Sequence, residues 1–266
     1  MGRDKTQTAV LVILVLLTPH RLNPNHKNRW ILWNVGQGQW FTYSTPTVCH
    51  HLDMGGEFVS WQKVRMECGG KSNQLHISHW DWDHLSFLRK ATALLPHLCL
   101  IQPPQGPRPV SLTKLTSVNS IPPCAVNSAT KVWRELKWTI RTGTRASAND
   151  YSRVMISRHQ VLLPGDSTTP QERRWARRLS GRESRNIKLL VLGHHGSKTS
   201  TSDELLDRIP FLQSAWVSAR KRRYGHPHST VVKRLRDRKI PLLRTEDWGN
   251  LILVDGNPVS VQSGSR

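Results

Sequence analysis

Four side chains able to bind a metal crowd into one short stretch, Ile77-Ser78-His79-Trp80-Asp81-Trp82-Asp83-His84. They are His79, Asp81, Asp83 and His84. Imidazole nitrogen and carboxylate oxygen together suit divalent zinc, manganese or iron. In extended backbone alternate residues point the same way, so His79, Asp81 and Asp83 converge with His84 beside them. A solvated polar loop is the bland alternative. It would leave Trp80 and Trp82 in a mobile segment, which is costly for side chains of that size.

Such a cluster needs rigid elements on either side. Gln74 to Ile77 reads as a short strand and Leu85 to Leu95 as a helix, so a strand-to-helix junction presents the ligands. Trp30 to Asn34 predicts a strand leading into Val35-Gly36-Gln37-Gly38-Gln39, where paired glycines permit a tight turn. Asp53, followed by Gly55 and Gly56, ends another strand; its expected role is structural, as is that of Gly55. Leu98 to Gln102 predicts a strand, and residues 103 to 130, rich in Pro, Ser, Thr and Asn, read as a long surface excursion. Trp133 to Arg141 predicts a further strand. Arg153 to Ser157 and Gln160 to Leu163 form a hairpin turning at Arg158-His159 and ending at Asp166, a strand-end acid that needs a partner or a metal.

Farther on, Pro170 to Leu179 reads as a basic amphipathic helix with Pro in its first turn. Asn186 to Leu192 is apolar enough for a strand buried on both faces, and it runs into Gly193-His194-His195-Gly196-Ser197-Lys198. Thr201 and Glu204 predict a capping box for a helix through Ile209. Ala215 to Ser218 predicts a strand before Arg220-Lys221-Arg222-Arg223-Tyr224-Gly225-His226-Pro227-His228. A helix from Ser229 to Lys239 and strands at 241–244 and 250–254 follow. Strands alternating with helices, with polar clusters at strand ends, describe an α/β fold.

Bulk properties narrow the partner. The chain of 266 residues carries 39 Lys and Arg against 18 Asp and Glu, a net charge of +21. That excess implies a polyanion, nucleic acid first, with an anionic membrane or wall polymer behind it. Four cysteines, Cys49, Cys68, Cys99 and Cys124, lack CxxC spacing; they allow two disulfides in an exported protein or buried thiols otherwise. Residues 1–20 combine Arg3 and Lys5 with an apolar run from Ala9 to Leu17, too short to span a bilayer and of signal-peptide length. Residues 21–29 read as a linker, 30–256 as one domain and 257–266 as a tail. The expected location is exported, periplasmic or membrane-associated.

His79-x-Asp81-x-Asp83-His84 resembles the signature of the metallo-β-lactamase superfamily, in the variant with Asp for the second His. Asp53-x-Gly55-Gly56 before it, Gly165-Asp166 after it and His194-His195-Gly196-Ser197 keep the superfamily order. With Val35-Gly36-Gln37-Gly38 and Tyr224-Gly225-His226-Pro227-His228, the set resembles the hydrolase domain of ComEC-type competence proteins over about residues 30 to 256. The resemblance implies a four-layer αβ/βα sandwich holding one or two divalent metal ions, manganese or zinc. His79 and Asp81 would serve one metal and Asp83 and His84 the other. Asp166 would bridge them, and one of His194 and His195, by preference His194, would complete the site.

Two cations roughly 4 Å apart lower the pKa of a shared water and clamp a phosphodiester, and Asp in the second position favours harder metals. The expected activity is that of a metal-dependent nuclease or phosphodiesterase acting on DNA during uptake, with a possible membrane or uptake-channel association. Asp83, Asp166, His226 and His228 are the expected catalytic residues. Ser197, Lys198, Tyr224, Arg220, Arg222 and Arg223 are expected to contact substrate, with Arg173, Arg174, Arg177 and Arg178 as a second basic run. Other readings are an inactive DNA-binding module and a hydrolase of other anionic phosphodiesters. Two departures stand out: Gln39 replaces the Asp that usually ends the glycine motif, and the superfamily's separate His before Gly165-Asp166 is not evident, since His97 and His159, the only ones available, stand in unsuitable contexts. Asn149-Asp150-Tyr151-Ser152 loosely matches the Asn/Ser segment that the ComEC group carries there.

Overall fold

Alternation of apolar residues along the strands assigns each side chain to one of three cores. The computed structural model describes residues 27–107, 109, 111–125, 132–138, 146–157 and 160–255. Strands β1 (Arg29–Leu32), β2 (Phe41–Ser44) and β3 (Val48–Leu52) form an antiparallel meander. Helix α1 (Trp61–Cys68) then crosses to β4 (Ser72–His76), which lies parallel to β3. Short helices α2 (Trp82–Leu85) and α3 (Leu88–Leu94) lead to parallel β5 (Leu98–Gln102), and α4 (Leu112–Asn119) follows.

The second sheet opens with antiparallel β6 (Trp133–Glu135), β7 (Met155–Ser157) and β8 (Val161–Leu163). Helices α5 (Thr169–Trp175) and α6 (Gly181–Asn186) precede β9 (Leu189–Val191), and α7 (Asp203–Arg208) precedes β10 (Ser214–Val217). Helices α8 (Lys221–Tyr224) and α9 (Ser229–Asp237) carry the chain to β11 (Leu242–Arg244). After α10 (Thr245–Trp248), β12 (Leu251–Val254) returns to pair with β1 in the first sheet. The strand orders are β12-β1-β2-β3-β4-β5 and β11-β10-β9-β8-β7-β6.

Trp30, Leu32, Phe41 and Leu52 meet Met155, Leu163, Val191 and Trp216 between the two sheets. The alternate residues of the same strands face outward: Ile31 and Leu75 pack with Val64, Leu88 and Val118 of the helices on one side. Leu162 and Leu190 pack with Trp175, Leu205 and Val231 on the other. Period-two burial on both faces of both sheets thus produces a four-layer αβ/βα sandwich. Two disulfides staple the first sheet to its helices, Cys49–Cys68 from β3 to α1 and Cys99–Cys124 from β5 to the segment after α4. Among the described residues, no helix is long and apolar enough to cross a membrane.

Several local expectations need correcting. The helix expected over Leu85 to Leu95 is two helices, and the excursion at 103 to 130 contains α4. Thr201 does not cap α7. Its φ is +51°, its N–H is taken by Glu172, and Ser202 caps instead by accepting from Leu205 N. Glu204, the expected partner in that cap, pairs with Arg173 and Arg177. Trp80 is buried, but Trp82 is 45% exposed, so only one of the two tryptophans anchors the cluster in the core. The run from Ala9 to Leu17, most of the 21–29 linker, the turn at Arg158-His159, the end of the Trp133–Arg141 strand and the 257–266 tail lie outside the described residues.

Candidate metal centre

Backbone clamps fix the ligand loop before any side chain orients it. The turn after β1 and the turn after β3 grip the Asp83-His84 backbone: Gln39 N donates to Asp83 O at 3.0 Å and Met54 N to His84 O at 3.0 Å. Gly55 lies so close that a Cβ there would sit 2.5 Å from the Asp83 carbonyl oxygen, so only glycine admits this approach.

Side chains then set the tautomers. Asp53 accepts from Ser78 N at 2.7 Å and Ser78 Oγ at 2.8 Å, and its Oδ2 lies 2.7 Å from His84 Nδ1. A carboxylate only accepts, so His84 carries hydrogen on Nδ1 and turns Nε2 inward. The Ser78 hydroxyl has spent its hydrogen on Asp53, so towards His79 Nδ1, 2.9 Å away, it accepts. His79 therefore also presents a bare Nε2. This is the outer support that ligating histidines ordinarily need.

The second sheet supplies the facing groups through the backbone. Asp166 follows Gly165, whose φ of +55° and contact with Ser152 exclude a side chain. Asp166 N donates to Ser152 Oγ at 2.9 Å. His194 and His195 are consecutive left-handed residues, at φ +48° and +52°, in the turn after β9. Strain of this kind persists only where surrounding structure enforces it, and it aims these rings at Asp166.

Ligand atoms of Asp83, His84, Asp166 and His195 lie within 4.8 Å of one another. His84 Nε2 is 3.1 Å from Asp166 Oδ1, and His195 Nε2 is 3.1 Å from Asp83 and 3.5 Å from Asp166. Beside them His79 Nε2 lies 3.5 Å from Asp81 and 3.9 Å from Asp166. Asp166 thus adjoins both half-sites. His195 rather than His194 completes the four-residue group. His194 Nε2 stands 3.9 Å from Asp166 and 3.3 Å from Asn149 Nδ2, on the more exposed side.

The nitrogen Nε2 of His79, His84 and His195 and Asp166 Oδ1 are all buried without a well-formed hydrogen bond. Buried polar atoms are rarely left so, and such a set gathered about the Asp166 carboxylate fits one or two divalent cations. The electrostatics agree. Burial opposes the Asp166 charge, yet the His84 and His195 charges outweigh it and hold the carboxyl well below its usual range. Burial likewise opposes protonation of His84, but Asp166 and Asp53 raise its pKa well above the ordinary value. The pocket favours positive charge.

Residues outside this group fall into two sets. Lys114 of α4 reaches Trp80 O at 2.5 Å and stands 3.8 Å from Asp81; it sits in the stretch read from sequence as a surface excursion. Asn149 and Ser152, which carry the Asn/Ser resemblance, border His194 and His79. His226 lies edge-on to His194 with ring centroids 6.2 Å apart. His228, also expected to be catalytic, is the N-cap of α9, its Nδ1 accepting from Thr230 N. Arg220, Arg223 and the Tyr224 hydroxyl all converge on Glu57. Glu57 offsets one of the two arginine charges, so this corner of the site keeps a net positive charge. Ser197 Oγ pairs with Thr199 Oγ1, whereas Lys198 and Arg222 are exposed. Gln39 takes no ligand position, since its amide donates to Asp53 Oδ2 at 2.8 Å. Nothing local in the sequence announced Glu57 or Lys114, whose roles arise from long-range contacts.

No protein-family model matches the chain. Recombination protein 2 of Haemophilus influenzae is 38% identical over 95 residues, 35% of this chain and 11% of that protein. ComE operon protein 3 of Bacillus subtilis is 37% identical over 68 residues, 25% of this chain and 9% of that protein. Competence protein ComA of Neisseria gonorrhoeae is 36% identical over 101 residues, 37% of this chain and 14% of that protein. The matches therefore span well under a fifth of each relative's length. Among solved structures, the metallo-β-lactamase fold protein YhfI from Bacillus subtilis superposes with a TM-score of 0.54 at 11% identity, covering 85% of this chain and 99% of its own. The chain has a metallo-β-lactamase fold and resembles competence proteins of the ComEC kind.

Proposed function

We propose that the chain is a metal-dependent phosphodiesterase acting on DNA in an uptake context, outside the cytoplasm. One observation carries the reading: three buried imidazole nitrogens, of His79, His84 and His195, converge from both sheets on the buried Asp166 carboxylate. His79, Asp81 and Asp166 would hold one cation, and Asp83, His84, Asp166 and His195 the other. When bound, such ions supply a water acidic enough to attack at neutral pH and polarise the phosphoryl oxygens. The protein's own contribution is to fix the ligand tautomers through Asp53 and Ser78, to bury the cluster, and to present DNA to it.

A net charge of +21 supports a polyanionic substrate, as do the relatives named for competence and recombination. Exposed Trp82 stands between Asp81 and Asp83, where a base could stack on it. Both disulfides suit an oxidising compartment, which supports export or a membrane-facing location. Gln39 is the observation that would favour an inactive DNA-binding module, but its place behind Asp53 leaves the ligand set whole. The test is a gel assay on single- and double-stranded DNA with added manganese, using native protein and Asp83→Asn. Manganese-stimulated cleavage lost in the variant supports the reading. Retarded but uncut DNA in both proteins moves the assignment to the binding module.

A further inference from the structure

A carboxylate outside the ligand cluster organises the approach to it. Glu57 Oε2 accepts from Gln37 N at 2.9 Å. Its Oε1 receives Arg223 Nη1 at 2.8 Å, Tyr224 OH at 3.1 Å and Arg220 Nη1 at 3.2 Å. This one side chain buckles the turn after β1 to the α8 segment that carries His226. Across the buckle, the Gln37 side chain is only 8% exposed and lies between two partners. Arg220 N donates to its Oε1 at 3.3 Å, and its Nε2 stands 3.1 Å from His226 Nδ1.

The order of these contacts decides a proton. A backbone N–H can only donate, so the Gln37 oxygen must face Arg220, and the amide hydrogens then face His226. An imidazole nitrogen that receives an N–H must offer its lone pair. We propose that Gln37 is a positioning residue that holds His226 as the neutral tautomer with hydrogen on Nε2. On the reading of the site as a phosphodiesterase, His226 then acts as a fixed hydrogen-bond donor to a phosphate oxygen. It is not a proton donor, because loss of hydrogen from a neutral imidazole would leave an unstable anion. Burial, followed by the neighbouring His195 and His194, lowers the His226 pKa, which keeps the ring neutral. The next segment is pinned to the ligand turn: His228 N donates to Gly196 O at 2.8 Å, and a Cβ on Gly196 would strike Pro227. A pre-set neutral histidine aimed at developing negative charge stabilises it without reorganisation.

The test is 15N spectroscopy of the full chain labelled at histidine and loaded with zinc, which is diamagnetic. The His226 signals are those missing from His226→Gln. Native protein should show Nδ1 as an unprotonated, pyridine-like nitrogen and Nε2 as protonated. In Gln37→Glu, which keeps the oxygen towards Arg220 but replaces the donor by an acceptor, Nδ1 should become protonated. In Gln37→Met, which keeps volume and removes both bonds, the Nδ1 bias should relax by about tenfold, the worth of one net hydrogen bond. A protonated Nδ1 in native protein, or a native-like spectrum in both variants, overturns the inference. If the tautomer is as stated but native protein cleaves no DNA with any divalent ion, the functional reading fails and the tautomer assignment stands.

Discussion

On the first sheet the candidate ligands His79 and His84 are oriented by side chains, through Ser78 and Asp53, on a scaffold stapled by two disulfides. On the second sheet Asp166 and His195 are aimed by backbone shape, through Gly165 and two left-handed histidines, with no disulfide among the described residues. The two halves should therefore fail differently. A side-chain support can be weakened by degrees, because a conservative substitution removes one hydrogen bond and leaves the chain path intact. A backbone support is close to all-or-none, since a Cβ in the wrong place moves every ligand that follows.

Gly165→Ala gives the largest expected effect. Its methyl would overlap the Ser152 hydroxyl that receives Asp166 N, at a left-handed φ. Divalent-metal affinity should fall more than ~100-fold, beyond what loss of a supporting hydrogen bond costs; a titration by calorimetry reads it. Near-native affinity would mean that the second half is not held by backbone shape. Next, the paired change Cys49→Ser with Cys68→Ser opens a loop of sequence separation 19 and should cost about 3 kcal/mol of unfolding free energy. Denaturant melts with and without reductant measure it, and an unchanged midpoint would show the first sheet rigid without its staple.

Asp53→Asn should lower metal affinity by ~10–100-fold, the usual worth of such support, and lower the melting temperature as well, since both buried oxygens accept hydrogen bonds and one would become an amide nitrogen. The same half should be the acid-sensitive one. Burial drives the His51 pKa down to about 3 and that of His50 to about 4. Both folded values lie below the ordinary 6.5, so the unfolded chain binds more protons in between. Their contribution is complete above about pH 6.5 and is lost as pH falls towards 4 and 3. Melts at pH 7 and 5 should show that loss, shallower in His51→Gln; equal slopes would remove His51 as its source. The smallest effect belongs to Arg223→Ala. That arginine already pairs with Glu57, so the salt dependence of DNA binding should barely change, whereas Trp82→Ala should weaken single-strand binding by ~1–3 kcal/mol.

The first half was the legible one. His79, Asp81, Asp83 and His84 stand in a row, and β5 runs over Leu98–Gln102 as its apolar pattern predicts. The second half hid its geometry in φ. Nothing in His194-His195 tells which ring meets Asp166, because the answer depends on two left-handed residues in succession. Helix α4, built from LTKLTSVN, is too polar to stand out from a Ser/Thr-rich excursion, so Lys114 was invisible. The cap of α7 was displaced by one residue for a non-local reason, since Glu172 of α5 captures Thr201 N–H. Local sequence carries the candidate cluster, and residues recruited from afar leave no mark in it.

The proposed role of Asp166 as a shared ligand is tested most directly by elemental analysis of native protein and Asp166→Asn after equal exposure to manganese and zinc. Native protein should hold one or two divalent ions per chain, and the variant, still folded by its melting transition, should hold none or one fewer. Equal metal content in the two proteins, or none in either, would contradict a centre built around Asp166.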